Sequence, residues 1–283
     1  MNRQPDPGPP DYLIIGHITR DLVGSGFRLG GTAAYSAVLA KRLGARVSLF
    51  TAGAADLPLD ILEGVQILNQ PGPGTTTFQN RYTPGGRVQT LKDRAPDLEL
   101  DLIPAGWRKA RVVHLAPVAR EVPLGAGDLF PESSLGYSLQ GWLRDWDEDG
   151  RVSPAPLPQE DLPPRQGLAG FLSIEDLGFD RSRLEELRRG FPLLVLTLGD
   201  RGAELHQGGE VVQVDTTPVP ELDPTGAGDV FAGAFLTAWA LRGKSPLAAA
   251  RLANSLAGAS VTGKGLEGLP SEQEIHSLEK VNH

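Results

Sequence analysis

The chain has 283 residues, of which 40% are hydrophobic, enough apolar material to bury a substantial core in one large α/β domain, the reading adopted for 1–283, or in two smaller ones. A formal charge of −8 argues against a surface that tracks nucleic-acid phosphates, and the absence of cysteine excludes disulfides, thiol catalysis and cysteine-ligated zinc. No run approaches the roughly 18 apolar residues of a membrane span, and residues 1–10 contain no apolar signal core. A cytoplasmic protein with a disordered tail over 1–10 is therefore expected.

Tyr12-Leu13-Ile14-Ile15-Gly16 reads as a buried strand, followed by an Ala-rich helix over 32–43 that ends at Gly44 and a strand over 46–51. Thr-rich stretches at 75–82 and 87–91, separated by Pro84-Gly85-Gly86, read as a β-hairpin. Short apolar runs at 112–115, 168–172 and 193–197 are further strands, with a helix over 181–189 between the last two and a Pro-rich connector over 153–165. Two long helices close the chain, over 227–241 and 246–261, joined by Arg242-Gly243-Lys244-Ser245. This alternation predicts a mostly parallel sheet covered by helices.

The segment Asp223-Pro224-Thr225-Gly226-Ala227-Gly228-Asp229-Val230-Phe231 carries the chemistry. Gly226 and Gly228 remove Cβ atoms where backbone N–H groups must approach a ligand, and the helix that follows points the positive end of its dipole at the same place. An anion is expected there. Asp229 in the first turn would repel a phosphate unless it takes a proton from an attacking hydroxyl. Read alone, the segment is equally a turn with a carboxylate that complements the helix dipole.

Two near matches carry less. Gly125-Ala126-Gly127-Asp128-Leu129-Phe130 repeats the core of this motif, but Pro131 interrupts any helix after it. Residues 258–265 nearly spell a P-loop, yet they end in Gly265 where a hydroxyl must bind magnesium. No Gly-x-Gly-x-x-Gly follows the first strand, which argues against a Rossmann dinucleotide site.

The nonapeptide resembles the Asp-Thr-x-Gly-Ala-Gly-Asp signature of the ribokinase family of carbohydrate kinases, also called the phosphofructokinase-B type, with Pro224 in place of Thr. Gly30-Gly31-Thr32-Ala33-Ala34-Tyr35 resembles the family's sugar-holding Gly-Gly motif. Asp21 stands where such enzymes place an Asp on substrate hydroxyls. Thr197-Leu198-Gly199-Asp200-Arg201-Gly202 resembles its ATP-site turn, and Asn254 an Asn beside the adenine. The resemblance implies a three-layer α/β/α ribokinase-like domain with a small β lid, mainly over 75–92. It implies Thr77, Gln79 and Tyr82 as lid contacts to substrate. It also implies ATP and magnesium, with Asp229 as general base and the N–H groups of Gly226, Ala227 and Gly228 beside the transferring phosphoryl group.

By the same resemblance Thr197, Gly199, Gly202, Thr225 and Asn254 line the nucleotide site. Ser173 and Asp176 occupy the place of the family's Asn-x-x-Glu, which puts Asp176 near magnesium, and Asp223 and Thr225 stand where some relatives hold a monovalent cation. Only about eight residues separate Asp21 from Gly30, so a reduced lid is expected, which leaves both monomer and homodimer open. Tyr35 replaces the Asn that binds sugar hydroxyls in members resembling ribokinase itself. Gln140-Gly141-Trp142-Leu143-Arg144, read as a strand end with Gln140, Trp142 and Arg144 on one face, is similar to a pattern in inositol-kinase relatives. The acceptor is thus a small sugar, polyol or sugar-like molecule bound by Asp21, Gly30, Gly31, Tyr35, Thr77, Gln79 and Arg144. A nucleoside acceptor, a non-catalytic nucleotide- or sugar-binding regulator, and a purely structural α/β protein stay open.

Overall fold

A computed structural model describes residues 8–83, 86–157 and 168–281, and side chains outside 82–87. Residues 1–7 of the expected tail, Pro84 and Gly85 of the expected turn, residues 158–167 of the connector and the side chain of Tyr82 lie outside the described residues.

The first half of the chain contains β1 (Tyr12–Ile15), β2 (Thr19–Val23), β3 (Gly26–Gly30), α1 (Thr32–Arg42), β4 (Val47–Gly53), β5 (Gln66–Pro71), β6 (Thr77–Thr83), β7 (Gly86–Asp93), β8 (Val112–Leu115) and β9 (Ser134–Ser138). The second half contains β10 (Arg144–Trp146), β11 (Val152–Pro154), β12 (Leu168–Ser173), α2 (Leu184–Gly190), β13 (Leu193–Thr197), β14 (Ala203–Gln207), β15 (Glu210–Val214), α3 (Ala227–Leu236), α4 (Pro246–Ser260) and α5 (Glu272–Val281).

Nine strands form the central sheet in the order β15-β14-β13-β12-β9-β8-β1-β4-β5. Its pairings are parallel from β13 to β5, and β14 and β15 add an antiparallel edge. Period-two alternation divides each strand between two layers. Tyr12 and Ile14 pack with α1, α3 and α4, whereas Leu13 and Ile15 pack with Phe50, Trp107, Phe130 and Trp142 on the other face. The first layer is built for close approach: α1 buries Ala33, Ala34, Ala37 and Ala40. Helix α4 starts on Ser245, whose hydroxyl accepts from Ala248 N–H at 3.3 Å, with Pro246 at the first helical position. The opposite layer combines α2 with 3₁₀ turns such as Leu124–Leu129, so the repeat of the anion motif within that turn has no α-helix behind it.

The lid corrects the expectation of a reduced one. It is a complete four-stranded sheet in the order β3-β2-β6-β7. Two strands fit between Asp21 and Gly30 because Val23 pairs directly with Gly26, leaving the two-residue turn Gly24-Ser25, with Gly24 at φ +52°.

A second correction concerns 140–144. Residues Leu139–Gly141 form a 3₁₀ turn, and only Arg144 enters the short strand β10. Trp142 is a core residue whose indole N–H donates to Val122 O at 2.8 Å. The three residues therefore do not share a strand face.

Candidate active site

The carboxyl ends of β9, β12 and β13 converge on the amino end of α3, where open α/β sheets place ligands. The chain enters α3 through a turn in which Asp223 Oδ1 accepts from Thr225 N–H at 3.1 Å, and Ala227 N–H donates back to Pro224 O at 3.2 Å. Gly226 caps the helix at φ +83°, a left-handed conformation that costs an L side chain about 1–2 kcal/mol. Space forbids a side chain as well, since a Cβ there would lie 2.5 Å from the Tyr35 ring. The result is a helix amino end that lines a cleft, with the N–H groups of Gly226 and Gly228 outside the turn's own hydrogen bonds.

Asp229 sits in the first turn of α3 and lines this cleft. Its Oδ1 accepts from Thr32 Oγ1 at 2.6 Å, and its backbone O accepts from Ser36 Oγ at 3.0 Å. One edge of the residue remains open to solvent while protein packs around the carboxyl. Burial pushes its pKa up to about 6. The Thr32 hydrogen bond and the Arg144 guanidinium pull the other way, and the charges of Asp176 and Asp21 add to the rise. The outcome is a carboxylate poised for proton transfer near neutral pH.

The donor side of the cleft gathers most of the expected nucleotide residues. Thr197, Gly199 and Gly202 approach from the β13 end, Thr225 to Asp229 from the α3 turn, and Asn254 from α4. Asn254 lines the cleft while its amide donates to Val214 O at 2.8 Å and Asp215 O at 3.2 Å. Its donors hold the end of β15 in place.

A second cavity, the one expected to take the acceptor, is lined by Asp21, Arg28, Tyr35, Asn80, Glu221, Asp223 and Lys264. Thr225 borders both spaces. Gly30 and Gly31 stand behind this cavity: a Cβ on Gly30 would overlap the Asp21 carboxylate, and Gly31 caps α1 at φ +88°. Tyr35 is 2% exposed, and burial, followed by Asp21, Asp229 and Asp223, keeps its phenol neutral.

Thr77 and Gln79 call for correction. Asp21 pairs with Phe78, so Asp21, Phe78 and Asn80 share the inner face of the lid while Thr77 and Gln79 alternate outward. Asn80 is the lid side chain that reaches the cavity. Arg144 lies on the donor side, its guanidinium 3.9 Å from Asp176 Oδ1.

Asp176 and Asp223 border different spaces. Asp176 Oδ2 accepts from Ser173 N–H and Ser173 Oγ, both at 2.8 Å, and Asp176 borders the donor cleft. Asp223 faces the acceptor cavity, 3.5 Å from Arg28. Among the described residues no group of three or more His, Asp or Glu side chains could hold a metal. The residues present do not fit a protein-held magnesium. Among the described residues, no helix is long and apolar enough to cross a membrane.

Sequence reasoning missed Thr32, Ser36, Arg28 and Asn80. Asn80 was legible from strand alternation once Phe78 was assigned inward; Thr32 carried no signal beyond following Gly30-Gly31.

The pfkB family carbohydrate kinase model matches residues 181–273. Cytidine kinase of Thermococcus kodakarensis is 28% identical over 263 residues, spanning 81% of this chain and 88% of that protein. Ribokinase of Bacillus subtilis is 40% identical over 86 residues, 30% of this chain and 29% of that one. Among solved structures, a pyrophosphate-dependent kinase in the ribokinase family, complexed with a pyrophosphate analog and myo-inositol, superposes with a TM-score of 0.77 at 18% identity, covering 94% of this chain and 99% of that one. The fold is the ribokinase fold, and residues 181–273 match the pfkB family of carbohydrate kinases.

Proposed function

We propose that the protein transfers a phosphoryl group from ATP to a hydroxyl of a small sugar, polyol or sugar-like acceptor. The observation that carries this reading is the place of Asp229, whose carboxyl, with a pKa near 6, stands at the helix amino end where donor cleft and acceptor cavity approach each other. The acceptor O–H gives its proton to Asp229 while its oxygen attacks the terminal phosphorus of the donor. The bond to the departing ADP breaks in the same exchange. The N–H groups of Gly226 and Gly228, and that of Ala227 once it leaves Pro224 O, would meet the charge on the transferring group, the positioning and electrostatic work on which phosphoryl transfer depends. Magnesium belongs in this scheme as the counter-ion of the nucleotide. Asp21, Asn80 and Asp223 supply acceptors, and Asn80 and Arg28 donors, for substrate hydroxyls.

A nucleoside acceptor is the second reading. Val23 and Leu222, exposed by 39% and 59%, border the acceptor cavity and offer an apolar surface that a base could cover. The similarity to a cytidine kinase over most of both chains points the same way. Product formation from ATP, and separately from pyrophosphate, with cytidine, ribose, fructose and myo-inositol separates these readings. Absence of any phosphorylated product across such a panel, widened to other pentoses, hexoses and nucleosides, would sink the kinase assignment.

A further inference from the structure

Tyr12, His114 and Ser138 form a buried hydrogen-bonded chain across the adjacent strands β1, β8 and β9, ending in the donor cleft. Tyr12 Oη and His114 Nδ1 are 3.1 Å apart, and His114 Nε2 and Ser138 Oγ are 2.8 Å apart. Tyr12 and His114 are fully buried. Ser138 is 5% exposed and borders the same space as Gly228 and Asp229.

Counting donors places the protons. Among the described residues Tyr12 Oη has no hydrogen-bond partner besides His114, so its proton goes to Nδ1; the reverse arrangement would strand a phenol proton in the core. His114 then carries its proton on Nε2 and donates it to Ser138 Oγ. Burial holds His114 down at about 3, so the ring gains no second proton near neutral pH. Ser138 already accepts, and no described residue takes its own proton. The remaining direction is the cleft.

We propose that Ser138 is a donor-binding residue whose hydroxyl proton is presented to a phosphate oxygen at the transferring end of the donor, with His114 and Tyr12 as positioning residues that fix its direction. The inference rests on the kinase reading for what the cleft holds. It explains a feature that reading leaves unused: a polar chain through the sheet whose satisfied end is in the core and whose unsatisfied end faces the ligand. A hydroxyl held this way loses little freedom on binding, unlike one that must be turned from solvent.

Calorimetry with inorganic tripolyphosphate and with ATP tests the idea on the full chain. Ser138→Ala should weaken both by roughly 10- to 100-fold, the range for a hydrogen bond to a charged group, and Ser138→Thr should bind close to wild type. With turnover, Ser138→Ala should raise the donor KM and leave the acceptor KM unchanged. Nitrogen-15 spectra of the wild-type protein should show His114 as the Nε2–H tautomer. Equal affinity in Ser138→Ala and wild type, a change confined to the acceptor KM, or an Nδ1–H tautomer would each overturn the proposal. Wild type that binds tripolyphosphate through Ser138 but turns over no acceptor would refute the kinase reading and leave this inference supported. Wild type that binds no polyphosphate would overturn both.

Discussion

Thr32 donates its hydroxyl to Asp229 across 2.6 Å, tying the first residue of α1 to the first turn of α3 from 197 positions away in the chain. The bond favours the ionised carboxylate and so works against burial, which drives the same group toward neutrality. Thr32→Val keeps the side-chain shape and removes the donor. At about 1.5–3 kcal/mol for a hydrogen bond to a charge, the Asp229 pKa should rise from about 6 by roughly one to two units. The acid limb of the kcat–pH profile should move up by that amount, with Thr32→Ser near wild type. An unmoved limb in Thr32→Val would show that the contact does not tune the base.

Asp229 itself links rate and stability in opposite senses. As general base it must be ionised, so wild-type activity should fall about tenfold per pH unit below about 6. Its folded pKa is raised above the ordinary carboxylate value, so the folded protein holds this proton more tightly than the unfolded chain. That contribution to stability is complete below about pH 4 and is lost as pH rises through about 6. Asp229→Asn should lower kcat by about 10²–10⁴ while retaining donor binding. It should also be more stable than wild type at pH 7.5, by up to about 3 kcal/mol for a pKa raised from 3.8 to about 6. Melting curves at pH 4 and 7.5 check this: an equal difference between the proteins at both values contradicts the linkage.

Gly226 is constrained twice, by its φ of +83° and by the Tyr35 ring against which a Cβ would press. Gly226→Ala should therefore destabilise the fold by at least about 1–2 kcal/mol from the backbone alone, with more from the clash, and should weaken ATP binding. Tyr35→Ala alone should destabilise through the cavity it leaves, and in that background Gly226→Ala should cost only the backbone portion. Denaturant melts of both single variants and the double variant measure the split, and no cost of Gly226→Ala in the Tyr35→Ala background would mean that the left-handed backbone carries no cost here.

How much of this was legible depended on contrast within short segments. The runs at 12–15, 112–115, 168–173 and 193–197 are uninterrupted or nearly so, and they fold as central strands buried on both faces. β9 was missed because Ser134, Gly136 and Ser138 have weak strand signals; Gly136 is small because a Cβ would strike Leu236 of α3, a contact invisible without the fold. The β2–β3 hairpin was legible in principle from Val23-Gly24-Ser25-Gly26, but its strands of five residues leave no room for a longer alternating pattern. At the site, the turn at 223–229 was readable from residue types alone. The partners of Asp229 were not, because Thr32 and Ser36 belong to a helix whose face toward α3 is set by tertiary packing.

The lid register separates substrate contact from surface on two consecutive residues. Asn80 borders the acceptor cavity, and its Oδ1 accepts from Gln89 Nε2 at 3.0 Å, which leaves its own amide protons for a ligand oxygen. Gln79 pairs with Leu22 on the opposite face and borders neither the donor cleft nor the acceptor cavity. Asn80→Ala should thus raise the acceptor KM about tenfold, the usual effect of one neutral hydrogen bond of roughly 1 kcal/mol or slightly more, with the donor KM unchanged. Gln79→Ala should leave both constants within about twofold, as surface substitutions away from a site do. Steady-state kinetics of the two variants with one acceptor decide the register, because a one-residue slip of β6 against β2 would exchange their phenotypes.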